Sequence, residues 1–301
     1  MKSRKIFNEL LKQKDNKKIS LILGARQVGK TTVLKGVYEN LSEDKKNRCL
    51  FLDLDIFTNF EKVSTFENLV NTLKLNGYNE QQKSFFYLFL DEFQRYEDIS
   101  IILKNIYDNF NNIKIYASGS SSLKIKNAIQ ESLAGRKKVN IMYPLDFEEF
   151  LGFIEKDDLL LQLNRTKNVN GEKLDKIFSD LLTLLNQFLV FGGYPEVALK
   201  SSEEEKIEVI ESIFDLYVKK DIVEYLKIDK ILNVKKLIEY LAINNAQKIK
   251  YDEVCSVCSL DFNHVIEYIE ILKETYLIFI QRPFFTNKNK ELVKIQKIYF
   301  I

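Results

Sequence analysis

Five short apolar runs, each closing on polar, acidic, glycine or proline residues, mark the first half of the chain. They begin at Ile19, Cys49, Phe85, Asn112 and Val139 and extend to Leu23, Asp55, Glu92, Ala117 and Tyr143. Runs of this length bounded by turn signals fit strands buried on both faces. Between them, over about 29–41, 64–76 and 97–110, apolar positions recur with helical spacing. Ahead of the first strand, residues 3–14 place Ile6, Leu10 and Leu11 on one helical face. That helix is expected to pack beside whatever the first strand leads into. Strands alternating with helices predict an α/β fold, a parallel sheet with helices on both faces.

The second half reads differently. Asp146, just after Pro144, is positioned to cap a helix. Residues 155–172 read as polar and irregular, with Asn168–Gly171 as a loop. A helix is expected over Leu174–Val190, stopped by Gly192-Gly193-Tyr194-Pro195-Glu196, which is turn punctuation. A charged amphipathic helix over about 203–227 carries Ile207, Ile210, Ile213, Phe214 and Tyr217. Helical patterns follow at Leu232–Asn244, Tyr251–Ser259 and Phe262–Thr275. Tyr276–Ile280 then faces Leu292–Ile301 across the polar loop Thr286–Glu291. Three helices and a β-ribbon describe a winged helix-turn-helix. The expected division is 1–150 for the α/β nucleotide domain, 151–230 for a helical connection and 231–301 for the winged helix.

The first strand runs directly into Gly24-Ala25-Arg26-Gln27-Val28-Gly29-Lys30-Thr31-Thr32. This is the G-x-x-x-x-G-K-[ST] spacing of a phosphate-binding loop, in the required order of strand, loop and helix. Gly24 and Gly29 permit backbone angles closed to other residues and let main-chain N–H groups approach an anion. The next helix points its unpaired N–H groups and positive dipole end the same way. Gly24 to Thr32 are therefore the expected ATP-binding residues, with Lys30 on the β- and γ-phosphates and Thr31 on Mg²⁺.

The third run ends in Asp91 and Glu92, the pattern of a Walker B segment. Asp91 is the expected second metal residue, and Glu92 the group that polarises an attacking water. A plain polar strand end would carry the same acids; the upstream loop favours the chemical reading. The fourth run leads into Ser118–Ser122, where Ser120, then Ser121, is the candidate to touch the γ-phosphate or the lytic water. Capping and turn chemistry explain these serines almost as well. Arg136, in Leu133-Ala134-Gly135-Arg136, is the candidate anion-sensing cation, in cis or from a neighbouring subunit. Its plain alternative is an ion pair with Glu131 or another surface acid, and Arg26 is a rival trigger. The expected catalytic set is Glu92, Lys30, Arg136 and Ser120.

Composition changes this picture little. Hydrophobic residues make up 46% of the 301, charged residues 29%, and the formal net charge is only +2. That balance neither requires nor excludes nucleic acid. No apolar run is long enough to span a bilayer. The N-terminus lacks the continuous apolar segment of a secretory signal, so a cytoplasmic protein is expected. Cys255 and Cys258 form one C-x-x-C, and His264 is the only histidine; both thiols read as small apolar residues.

Together these motifs resemble a family of predicted prokaryotic AAA-type ATPases. Its G-x-R-Q-x-G-K-T-T loop, L-D-E segment, G-S-S-S sensor and L-A-G-R stand here at Gly24–Thr32, Leu90–Glu92, Gly119–Ser122 and Leu133–Arg136. The G-G-x-P-E turn of its second half stands at Gly192–Glu196. The resemblance implies a sheet with the sensor strand between the strands carrying loop and acid. It also implies ATP binding and hydrolysis, and supports Arg136 as part of the pattern. Family members often continue into a nuclease-like domain, and the chain is expected to lack that part because it stops at Ile301. Three uses of the nucleotide stay open. The first is an Mg-ATP hydrolase that moves its C-terminal part, with a homo-oligomer among the candidate assemblies. The second is a nucleotide-regulated DNA-binding module. The third is an ATP-gated protein-interaction module. The third C-terminal helix carries Asn263, His264 and Lys273 beside Glu267, Glu270 and Glu274, while Lys288 and Lys290 make the loop more hospitable to phosphate. Glu92 beside Asp91 favours activation of water over a kinase reaction.

Overall fold

The structure, a computed structural model, describes residues 2, 4–44, 46–96, 98–120, 131–166, 175–218, 222, 231–286, 289 and 295–301. The described residues up to Ser212 form one compact unit, and those from Ile213 onward a second.

The first unit is built on β1 (Ile19–Gly24), β2 (Arg48–Asp53), β3 (Phe86–Asp91), β4 (Ile113–Ser120) and β5 (Lys137–Ile141). All pair in parallel, in the order β2-β3-β4-β1-β5. β4 thus separates the loop strand from the acid strand, as the resemblance implied. β1, β3 and β4 are buried at every position, which explains their near-continuous apolar sequence. β2 and β5, at the edges, are partly exposed. β4 continues three residues beyond the expected end at Ala117, because Ser118, Gly119 and Ser120 pair with Ile22, Leu23 and Gly24 of β1.

Around the sheet lie α1 (Lys5–Leu11), α2 (Lys30–Ser42), α3 (Phe57–Lys62), α4 (Phe66–Leu75) and α5 (Ile99–Asn109). The short α3 has no buried residue, so it leaves no apolar periodicity to read. Leu10 of α1 shares a buried cluster with Val28, Val33 and Leu34, which sets that helix beside the phosphate loop.

Beyond the sheet come α6 (Phe147–Phe153), α7 (Asp157–Thr166), α8 (Asp175–Phe191), α9 (Pro195–Ala198) and α10 (Glu203–Leu216). Asp146 caps α6 in a full capping box with Glu149. Residues 157–166 correct the expectation of an irregular stretch. Leu159, Leu160 and Leu163 pack against Leu145, Phe150 and Leu181, and the polar residues between them supply the outer face of a helix. The same cluster carries packing across residue 150, so the helical region to Ser212 belongs with the sheet. The expected loop Asn168–Gly171 lies outside the described residues, as does most of the expected helix beyond Val218.

The second unit holds α11 (Ile231–Ile243), α12 (Tyr251–Cys258), α13 (Phe262–Glu274) and an antiparallel ribbon of β6 (Ile278–Gln281) with β7 (Lys297–Phe300). Its core includes Leu237, Val254, Cys258, Val265, Ile269 and Ile298. The Asp261 side chain caps α13 by accepting from the His264 N–H at 3.0 Å. Burial raises the Cys258 thiol pKa, so it is packing material rather than a thiolate. No group of metal-binding residues occurs among the described residues. Lys288 and Lys290 lie outside them. Among the described residues no helix is long and apolar enough to cross a membrane.

Candidate nucleotide site

β1 delivers the chain into the loop at Gly24, where no side chain fits. A Cβ there would lie 2.1 Å from the Met142 carbonyl oxygen. That approach is fixed by the Met142 N–H, which donates to the Leu23 carbonyl at 2.7 Å. Gly29 has φ 95° and serves as N-cap of α2, a left-handed position that favours glycine. The first intrahelical bond runs from the Val33 N–H to the Gly29 carbonyl at 3.0 Å. The N–H groups of Lys30, Thr31 and Thr32 therefore belong to the unladdered first turn, where an anion is favoured. Lys30 is only 5% exposed. Its Nζ donates to the carbonyls of Gly24 and Ala25 at 3.1 and 2.6 Å, so the side chain lies back over its own loop. Thr31 and Arg26 are half-buried, and Gln27 and Thr32 are exposed.

The acids stand at the same end of the sheet. Asp91 is 1% exposed. Its Oδ1 accepts from the Ser118 hydroxyl and, at 3.1 Å, from the Glu92 N–H. Ser118 was not a sequence candidate; Leu90 pairs with Ala117, so the register sets Ser118 opposite Asp91. Ser120, the first candidate, pairs with Gly24 and is 5% exposed. Its N–H donates to Gln94 Oε1 at 3.1 Å, while Gln94 Nε2 donates to the Glu92 carboxylate. Gln94 thus ties the expected water-activating acid to the tip of the sensor strand. Gly119 makes room for it, since a Cβ there would lie 2.4 Å from Gln94 Oε1. Glu92 itself has φ 51°, an uncommon backbone for a non-glycine residue. Ser121 lies outside the described residues.

Arg136 is not brought to this group. Its carbonyl accepts from the Ile19 N–H at 2.9 Å, at the opposite end of β1 from Gly24. A strand rises about 3.3 Å per residue, which separates the two ends by roughly 16 Å. The guanidinium forms a two-pronged pair with Asp108 at 2.7 and 3.0 Å. The acid beside it is therefore Asp108 rather than Glu131. Action on the chain's own loop does not fit this placement.

The donor set suits Mg-ATP. Thr31 and Asp91 offer only oxygen atoms, the ligands a hard cation takes. Mg²⁺ commonly uses one or two protein ligands and completes its shell with phosphate and water, so a dense cluster is not required.

Residues 16–151 match the AAA domain family. That match assigns an AAA domain to this part of the chain. Residues 182–301 match a domain of unknown function (DUF8612). Among relatives, the uncharacterized protein MJ1544 of Methanocaldococcus jannaschii is 29% identical over 94% of this chain and 60% of its own length. MJ1637 of the same organism is 27% identical over 100% of this chain and 66% of its own length. The chain therefore spans about two thirds or less of these two relatives. The Walker-type ATPase paby2304 of Pyrococcus abyssi shares the fold, with a TM-score of 0.60 at 16% identity over 100% of this chain and 94% of that one. The family match and the shared fold thus give residues 16–151 an AAA-type domain of the P-loop kind, the nucleotide-binding fold.

Proposed function

We propose that this AAA-type protein binds Mg-ATP at Gly24–Thr32 and hydrolyses it with Glu92 as the base. The observation that carries the reading is the convergence of Lys30, Asp91, Glu92 and Ser120 at the carboxyl ends of neighbouring strands. Thr31 and Asp91 would hold the cation, which supplies charge stabilisation at the phosphates. Lys30 would exchange its two loop carbonyls for phosphate oxygens, a charge-assisted contact. Glu92 orients and deprotonates the water, and Gln94 links its carboxylate to Ser120. The protein is expected to act in the cytoplasm.

Arg136 contributes, on this reading, from a neighbouring subunit of a homo-oligomer. Its place away from its own loop supports trans action, and the Asp108 pair holds it for that use. Mixing Arg136→Ala with Lys30→Ala protein tests this. Recovered turnover supports a shared site; no recovery, with each variant correctly folded, overturns action in trans, and normal turnover in Arg136→Ala alone removes the residue from the reaction.

The C-terminal helices and ribbon are read as a winged helix that receives the nucleotide-driven change. One observation favours a protein partner over DNA. α13 exposes Phe262 and Ile266 beside the exposed acids Glu267 and Glu270. Acids on that face oppose phosphate backbone, while exposed aromatic and aliphatic groups suit a protein surface. Turnover measured with and without duplex DNA decides the point. Stimulation that fades with salt would instead assign DNA.

A further inference from the structure

We infer that Arg4, outside every recognised motif, is a positioning residue that aims the Gly29 N–H of the phosphate loop into the anion site. The inference rests on the ATP-binding reading above. Arg4 is 5% exposed, although it lies at the start of the chain, just before α1. Its guanidinium spans three partners. Nη1 donates to the Val28 carbonyl at 2.9 Å, Nη2 to the Tyr143 carbonyl at 2.7 Å, and Nε to Glu149 Oε1 at 3.1 Å. The planar guanidinium fork offers donors in fixed directions, so these contacts define its orientation.

The Val28 contact bears on function. The Val28–Gly29 peptide is trans, like every described peptide bond. In a trans peptide the C=O and the next N–H point in opposite directions. Holding the Val28 carbonyl against Arg4 therefore turns the Gly29 N–H away from Arg4. Gly29 caps α2 in a left-handed conformation that glycine can readily leave, so the peptide needs an external hold. The second contact joins that hold to the segment just after β5, next to Met142, whose backbone already touches Gly24. Glu149 supplies the counter-charge, with its side chain 8% exposed against 6% for Arg4. It also accepts from the Lys5 N–H at 2.7 Å and closes the α6 capping box, so the anchor is itself rigid.

A structural brace alone would make the same contacts, and paired variants separate the two roles. Glu149→Gln removes the counter-charge and weakens the capping box but leaves the Val28 contact available. Arg4→Gln with Glu149→Gln removes both charges, so no unpaired ion is left buried, and also removes the Val28 contact. Affinity for ATP, ADP and adenosine is measured on folded protein, with melting temperature followed in parallel. The expected result is a clearly smaller loss of ATP affinity for Glu149→Gln than for the double variant. The double variant should bind ATP and ADP about tenfold or more weakly, the scale of one hydrogen bond to a charged group. Adenosine affinity should be unchanged, and Arg4→Lys should fall with the double variant because one amine cannot span three acceptors. Equal ATP affinity in the single and double variants overturns the inference. So does a loss that tracks melting temperature alike in both. Wild-type protein that binds no ATP would instead overturn the underlying ATP reading.

Discussion

Two lysines, Lys30 and Lys114, are buried near opposite ends of one sheet, at 5% and 1% exposure. Each donates to two oxygen atoms. Lys30 reaches two carbonyls of its own loop. Lys114 reaches the Lys18 carbonyl and, at 2.8 Å, the Ser20 hydroxyl. Ser20 donates to Gln13, and Gln13 donates to Asn140, so the Lys114 partners form a chain of their own. Burial, with Lys138 adding repulsion, pushes the Lys114 pKa down to about 7. The Lys114 network is built on strands and a turn whose positions the sheet fixes. The Lys30 contacts sit on a loop bounded by close-packed Gly24 and left-handed Gly29, at a helix N-terminus, with acids at the end of β3, the next strand but one. Burial does not mark a lysine as functional. Partners that a phosphate can replace do.

The largest test of the contrast is Glu92→Gln at the loop end. Turnover should fall by roughly 10²–10⁴-fold with ATP affinity retained, because the general base is lost and the loop is not. Parallel loss of affinity would give Glu92 a structural part instead. At the other end, Lys114→Met should leave ATP affinity alone and change the pH dependence of stability. The Lys114 pKa is lower folded than unfolded, where the ordinary value is 10.5. Between those values the unfolded chain binds the extra proton. Stability from this group therefore rises with pH from about 7 to about 10.5, and its cost is fully present below about 7. The stability difference between wild type and Lys114→Met should change by about 1.4 kcal/mol per pH unit in that window. Denaturant unfolding at pH 7.5, 8.5 and 9.5 reads it (roughly mid-window). A flat difference would mean that Lys114 is not a buried titrating group. Smallest is Asp108→Ala, which removes an exposed ion pair and should leave the melting temperature close to that of wild type. A much larger loss in a thermal melt would show Arg136 and Asp108 to be part of the fold rather than a surface pair.

Local signals carried the loop end well. Gly24–Thr32 and Asp91-Glu92 could be read because strand, turn and acid follow one another in sequence. Asp146 could be read as a cap for the same reason. What escaped depends on register or long-range contact. Ser118 and Ser120 have the same strand parity, and only the pairing of β3 with β4 selects Ser118 for Asp91. Gln94 matters through a strand distant in sequence, and Arg4 through Val28, Tyr143 and Glu149. Residues 157–166 escaped because their acidic and amide residues obscure three half-buried leucines. Arg136 was legible as a cation near the sensor segment, but the end of the sheet it occupies was not.

The central claim is that the loop at the end of β1 is an Mg-ATP site that depends on Lys30. Calorimetric titration of ATP with Mg²⁺ into wild-type and Lys30→Ala protein, both checked for fold by circular dichroism, tests it most directly. The account predicts saturable binding by wild type and loss of that binding in Lys30→Ala. Equal affinity in the two folded proteins would contradict it.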